Sequence, residues 1–451
     1  MTRLSTSFLC LALALGAVAA QGVSSSTTTT TSSAATPSPT LPYASDDPNY
    51  PMWNNYTETT PEAERGTLGT TVIGGTSDLQ LDIQNPDLLA PPTTDAGTVS
   101  NAKWPFSLSH NRLQTGGWAR QENINVMPIA TEMAGVNMRL EVGAIRELHW
   151  HKTGEWAYIL SGSVQVSAVN AAGQNYLATV SAGDLWYFPA GIPHSLQATA
   201  DNPNGAEFLL VFDSGSFSED STFLLTDWLA HTPKEVIAKN FGTPISAFDT
   251  IPASQLYIFP SSPPPDDAVA PISPQGTASL PYTYRLSQVN ATQLAGGTVK
   301  VVDSTTFKVS TTIAVAEVTV EPGAIRELHA SLSHSWHPTQ DEWTYFISGN
   351  ARMTLFAATS NARTYDYMVH AHLSLSGYIP ASYGHYVENT GNSTLHFLEI
   401  FYTSTYQDIS LNQWLALTPP AVVQAHLGIS EETVALLTKT KQVVTAPSNP
   451  Q

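Results

Sequence analysis

A chain of 451 residues, 42% hydrophobic and 12% charged, is long enough for two to three domains of ~150 residues each, and this composition excludes collagen, a coiled coil and a wholly disordered polypeptide. Eighteen Lys and Arg against 37 Asp and Glu leave a net charge of -19, so no basic face is available for a phosphate backbone and no nucleic-acid partner is expected. The single cysteine, Cys10, stands among the first twenty residues, so neither a disulfide nor a thiolate zinc site is expected in the mature protein.

In chain order, residues 1–20 read as a secretory signal. Arg3 gives a positive start, Phe8 to Val18 is apolar but too short to span a bilayer, and Val18, Ala19 and Ala20 suit cleavage before Gln21. No other stretch approaches ~18 uninterrupted apolar residues, so a secreted, extracellular protein without a membrane span is expected. Asn55, Asn290 and Asn392 each begin an acceptor triplet for N-glycosylation. Residues 21–44 form a tail that is almost entirely Ser, Thr, Ala and Pro from 24 to 40, too polar and simple to bury a core. An N-terminal arm, residues 45–104, leads to a first domain over 105–258.

The next feature is a repeat. Gly143-Ala144-Ile145-Arg146-Glu147-Leu148-His149 recurs identically as Gly323 to His329, Gly116-Gly117 matches Gly296-Gly297 at the same distance, and Asp227 to Pro233 echoes Gln413 to Pro419. Between the copies, Phe259 to Pro281 holds Pro263-Pro264-Pro265, Pro271 and Pro274, which forbid a central strand or helix interior and mark a linker. A second domain is expected over 282–440 and a tail over 441–451. Runs of period-two alternation, such as Ser163 to Ser167 and Glu317 to Glu321, lie between Gly, Pro and Asn turns and predict an all-β sandwich or small barrel in each copy. Helical signals close each copy. Thr226 or Asn412 could cap Asp227 to Ala230 and Gln413 to Leu417, and Pro233 or Pro419 could open a second helix ending at Gly242 or Gly428.

The chemistry concentrates in the first copy. His149 and His151 stand two apart on a predicted strand and so project from one face, Glu155 follows a turn at Gly154, and His194 follows the Gly191-Ile192-Pro193 turn. Three neutral imidazoles and one carboxylate make a mixed N/O site suited to Mn(II) or Fe(II), with positions left for substrate. Arg146, three before His149, points away from the histidines in a regular strand unless a bulge intervenes.

These spacings resemble the two cupin motifs. Gly143, five residues, His149-x-His151, three residues, Glu155, six residues and Gly162 matches the first motif; Gly183, five residues, Pro189-x-Gly191, two residues and His194 matches the second, with Ala198 in place of its final Asn. The chain resembles the bicupins over about residues 45 to 440. Among them it is most similar to secreted, fungal-type oxalate decarboxylases, through Arg146 to His151, Ser218 to Thr222 and Leu225 to Ile237. The resemblance implies two tandem cupin (double-stranded β-helix, jelly-roll) barrels. It also implies Mn(II), one per intact domain, held in the first copy by His149, His151, Glu155 and His194. The implied reaction cleaves oxalate to formate and carbon dioxide, with dioxygen as co-catalyst and no net oxidation. A small dianion entering an acidic protein needs local positive charge, for which Arg146 is the candidate clamp. The one-carbon fragment left after carbon dioxide departs must be protonated, and Glu219, in a Gly/Ser-rich lid, is the candidate acid. The family's lid reads Ser-Glu-Asn-Ser-Thr, so Asp220 is a departure.

In the second copy, Ala330 to Ser335 separate His329 from Trp336-His337, and Ser374 and Ser382 replace motif glycines, while Glu342, Gly349, His385 and Asn389 fit. The resemblance assigns His329, His337, Glu342 and His385 to a second metal, with His334 competing, and offers Arg326, the repeat of Arg146, and Glu399 as catalytic groups there. The insertion points to a degenerate site or to an error at exon boundaries, and His370-Ala371-His372 reads as incidental. Three other readings stay open: an oxalate oxidase releasing hydrogen peroxide, a non-catalytic storage or sugar-binding bicupin, and a dioxygenase acting on aromatic substrates. The chain leaves room for a homo-oligomer.

Overall fold

The computed structural model describes residues 81, 84–89, 91–92, 94–331, 340–369 and 374–447. The signal, the Ser/Thr-rich tail, Asn55, His334, Trp336, His337, His370 and His372 lie outside the described residues.

Each copy is a barrel of antiparallel strands. In the first, one sheet joins Arg112–Gln114, Gly117–Glu122, Ala134–Leu140, Ala206–Phe212, Glu155–Ser161, Leu185–Phe188 and Thr283–Tyr284 in that spatial order. The opposing sheet orders Phe223–Leu224, Ile145–Trp150, His194–Ala198, Ser163–Val169 and Asn175–Ser181, with Ile258–Phe259 also on Ile145–Trp150. The alternation does what its period requires: Val164, Val166 and Ala168 are buried while Gln165 and Ser167 are half-buried. The predicted run simply extends two residues further, to Val169. In the second copy one long strand, Glu342–Phe356, serves both sheets and does the work of Glu155–Ser161 and Ser163–Val169.

The heptapeptide starts each repeat on a tight turn. Gly143 has φ +77° and Gly323 φ +72°, and a Cβ on Gly143 would stand 2.2 Å from the Ser261 carbonyl oxygen, so only glycine suits the position.

Strands from one half complete the other. Lys103–Pro105, where the expected arm meets the first domain, pairs with Leu375–Gly377 of the second barrel, and Thr283–Tyr284, expected to open the second domain, pairs with Leu185–Trp186 of the first. Each covers an edge that would otherwise present unpaired peptide groups. The arm is also pinned by the buried Lys103 ammonium, which donates to Gln84 O at 2.6 Å and Asp366 O at 2.5 Å, 3.9 Å from Asp87.

The stretches read as linker and tail each contribute to a barrel strand. Ile258–Phe259 pairs with Ile145 and Arg146, and Val444–Thr445 pairs with Ile325 and Arg326. The residue before each strand, Tyr257 (φ +59°) or Val443 (φ +57°), is left-handed, a strained state for a bulky side chain. Both main-chain N–H groups donate to the buried heptapeptide glutamate, Tyr257 to Glu147 at 2.8 Å and Val443 to Glu327 at 3.0 Å.

Helices close both copies at Leu225–Ala230 and Lys234–Phe241, and at Leu411–Leu417 and Pro420–Leu427. Gly242 and Gly428 end the second helix of each pair in left-handed conformation. The caps differ from expectation. Ser410, not Asn412, accepts from Gln413 N at 3.2 Å, because Asn412 lies inside the helix and accepts from Thr438 N instead. Thr226 is likewise inside its helix; its N–H and hydroxyl both donate to Glu147 at 2.6 Å, so a carboxylate from a neighbouring strand caps that end.

Candidate metal centre

His149 and His194 are cross-strand partners. The register then shifts, Arg146 facing Leu196, so three steps on one strand oppose two on the other. This is the bulge that the position of Arg146 required: the extra residue brings Arg146 and His149, both buried, to the barrel interior while Leu148 is 48% exposed. His151 lies just past the end of the same strand, and Glu155 opens a strand of the facing sheet, so the four groups converge across the barrel. Their ligand atoms all lie within 4.8 Å of one another, in buried positions.

The polarity of the site is locally built. Nδ1 of His149, His151 and His194 each donates to a main-chain carbonyl two residues away, Glu147 at 2.6 Å, Thr153 at 2.9 Å and Ile192 at 2.8 Å, which leaves each Nε2 lone pair facing inward. Trp186 Nε1 donates to Glu155 Oε1 at 2.8 Å and aims Oε2 at His151 and His194, 3.0 and 3.3 Å away. Burial, helped by Arg146 and the other imidazoles, holds His149 well below its ordinary pKa and keeps it neutral. Burial would raise Glu155, but the positive charge of His194 and His151 in their protonated forms outweighs it and holds the carboxyl well below the usual range, a role that a cation taking the place of those protons would fill.

Beside these groups, Arg146 Nη2 donates to Glu219 Oε2 at 2.8 Å, Tyr257 OH donates to the same oxygen at 2.9 Å, and the guanidinium lies 4.2 Å from the Tyr257 ring centroid. Arg146 Nη1 is buried without a hydrogen-bond partner among the described residues. Asp220 points outward: it is 75% exposed and pairs with Arg112 at 3.2 Å. The segment carrying Glu219 separates two cavities. One of about 350 Å³ includes His151, Lys152 and Ser218 in its walls; the other, about 430 Å³, includes Arg112, Gln121, Glu219 and Tyr257.

The second copy repeats the bulge, His329 facing His385 and Arg326 facing Val387, and brings together His329, Glu342 and His385. The buried Nε2 atoms of His329 and His385 lie 3.9 and 3.3 Å from Glu342 Oε2 and have no hydrogen-bond partner among the described residues. Two inward lone pairs beside a carboxylate fit a hard divalent cation, as does the complete set of the first copy. His337, expected as the fourth ligand, lies outside the described residues. The donor to the carboxylate has moved: Thr344 Oγ1 donates to Glu342 at 3.0 Å, and Thr344 and Gly377 stand where the first copy has Ala157 and Trp186. Arg326 is fully engaged, bonding Glu399 through Nε at 2.9 Å and Nη2 at 3.2 Å, Asp408 at 2.8 Å and Tyr406 at 3.1 Å, with Lys441 also paired to Asp408.

The Cupin family model matches residues 109–245 and again 285–435. Oxalate decarboxylase OxdC of Bacillus subtilis is 52% identical over 387 residues, covering 85% of this chain and 96% of its own. The chain belongs to the bicupin oxalate decarboxylase family. A probable oxalate decarboxylase of Arthroderma benhamiae is 42% identical over 386 residues, 83% of this chain and 91% of its own. A solved structure of the Bacillus subtilis oxalate decarboxylase, from work on its Mn(II) centers, has a TM-score of 0.80 at 51% identity, over 86% of this chain and all of that one.

Against this bicupin site, the sequence reading missed Tyr257, Trp186 and Gln121. Trp186 is hidden in the apolar run Leu185–Phe188, where nothing marks its indole N–H as an orienting donor, and Tyr257 stands 38 residues beyond the glutamate it touches. Trp186→Phe keeps the ring in the core but removes the donor to Glu155. Mn(II) titration of the first copy should show affinity lowered by ~10–100-fold, the scale for a lost outer partner; unchanged affinity would mean that the indole only packs.

Proposed function

We propose that this chain is a Mn(II)-dependent decarboxylase that converts oxalate to formate and carbon dioxide, requires dioxygen without net oxidation, and works in its first barrel. The observation that carries the reading is the Arg146–Glu219 pair, 2.8 Å apart, beside a complete set of three histidines and a carboxylate. His149, His151, Glu155 and His194 would hold Mn(II) there, and His329, Glu342 and His385, with His337, in the second barrel. When bound, Mn(II) supplies a Lewis-acid centre and redox partner for oxalate and dioxygen.

The chain's own residues supply the rest. Arg146, with a free Nη1 in a buried setting, binds and orients a carboxylate of the dianion by charge-assisted hydrogen bonds. The carbon–carbon bond breaks, carbon dioxide leaves, and the remaining carbon takes one proton, so each turnover consumes one. Glu219 delivers it, and the segment around it keeps bulk water away. Arg326 is committed to both Glu399 and Asp408, which favours the first barrel as the seat of catalysis. We further propose that the protein is secreted and glycosylated at Asn290 and Asn392, both exposed. Among the described residues no helix is long and apolar enough to cross a membrane.

Incubating the Mn(II)-loaded protein with oxalate under air, with formate and peroxide both measured, tests the proposal. Formate without stoichiometric peroxide is expected. Peroxide without formate would make the protein an oxidase, and neither product would exclude oxalate as its substrate.

A further inference from the structure

The segment that carries Glu219 is tied to the barrel at two levels. Its base is pinned by Asn123, which donates to Phe217 O at 2.9 Å, and by Ile124 N, which donates to Gly215 O at 2.9 Å. Higher up, one side chain makes the main connection: Gln121 Oε1 accepts from Glu219 N at 2.9 Å and Gln121 Nε2 donates to Ser218 Oγ at 3.3 Å. Gln121 belongs to the barrel strand Gly117–Glu122, paired with Val136, so the amide extends a rigid wall into the turn formed by Glu219–Ser221. The Ser218 contact sets its orientation, with oxygen toward Glu219.

The carboxyl end of Glu219 is held differently, by Arg146 and Tyr257 on one oxygen. This inference rests on the function proposed above, in which oxalate engages Arg146. A dianion on the Nη1 of that guanidinium shares the charge that Nη2 offers to Glu219, so the Arg146–Glu219 bond weakens at the stage when Glu219 has to be in place. The bond from Gln121 to the main chain is outside that competition. A displacement of ~1 Å at a reacting group can cost ~10²-fold in rate, so the anchors that remain, Gln121 on the main chain and Tyr257 on the carboxylate, matter. We infer that Gln121 is a positioning residue that keeps Glu219 aligned for proton delivery once substrate occupies Arg146, and so sets the balance between formate and peroxide.

Gln121→Met fills a similar volume without either hydrogen bond, and Gln121→Glu keeps an acceptor for Glu219 N. For Gln121→Met, kcat for formate should fall about tenfold while KM for oxalate stays within about twofold, and peroxide per turnover should rise. Hydrogen exchange of the peptide containing the Glu219 amide should quicken about tenfold, with or without Mn(II). Gln121→Glu should restore formate and slow the exchange again. Wild-type formate yield and exchange in Gln121→Met, or a Gln121→Glu variant as impaired as Gln121→Met, would overturn the inference. Glu219→Gln, assayed in parallel, separates the two levels. If it forms formate normally, the proton donor itself is misassigned; if it does not, while Gln121→Met behaves as wild type, the fault lies with Gln121 alone.

Discussion

Glu219→Gln should lower formate production by ~10²-fold or more, the usual scale for a lost general acid, while oxalate still binds. The substitution preserves size and can still accept from Arg146 and Tyr257, which hold Glu219 at 2.8 and 2.9 Å, but an amide has no carboxylic proton to give. Asp220, the other acid of the Ser218–Thr222 segment, cannot replace it: its side chain is 75% exposed and paired outward with Arg112. Residual turnover should shift toward peroxide, because a fragment that is not protonated remains open to oxidation. Measuring both products at saturating oxalate checks the prediction. A variant that makes formate at the wild-type rate would move proton delivery elsewhere, with Glu399 the next residue to test.

His151→Ala should empty the first site of metal and abolish formate production, by more than the ~10–100-fold that loss of an outer partner costs. His151 Nε2 is one of the two nitrogens within 3.3 Å of Glu155 Oε2, and the mature chain expected from the sequence offers no cysteine to substitute. His151 also packs edge-on against Phe212 and Phe217, so its truncation will loosen that wall as well; thermal unfolding of metal-free wild type and variant separates this packing loss from the loss of metal. Elemental analysis is cleanest in a His385→Ala background, where the second site is disabled. Full metal occupancy in the double variant would refute the ligand assignment.

The clustering of the candidate ligands of the first copy was legible because their geometry is local. His149 and His151 occupy one strand end, Glu155 opens the next strand after a short turn, His194 follows its own turn, and each imidazole is oriented by a carbonyl two residues away, so their spacing, matched to the cupin motifs, was enough to group them. The repeat was legible for the same reason: an identical heptapeptide needs an identical turn at Gly143 and Gly323.

What lay beyond the sequence depends on register between distant strands. The direction of Arg146 turns on whether three residues oppose two across the His149–His194 pair, and a period-two reading of one strand holds no record of its partner. Tyr257 reaches Glu219 because Glu147 in the heptapeptide accepts its main-chain N–H across 110 residues, and the same glutamate takes over the capping role that local sequence had assigned to Thr226. The donor to the metal-facing carboxylate passes from Trp186 to Thr344 between the copies, an exchange visible only when Ala157 is seen paired with Trp186 and Thr344 with Gly377. By itself the sequence determined the duplication and the all-β barrels, and it grouped the candidate ligands of the first copy, because all three are written in contiguous spacings. Tertiary structure alone decided which half completes which sheet, how Arg146 turns inward and what holds Glu219, because each follows from pairing between strands far apart in the chain.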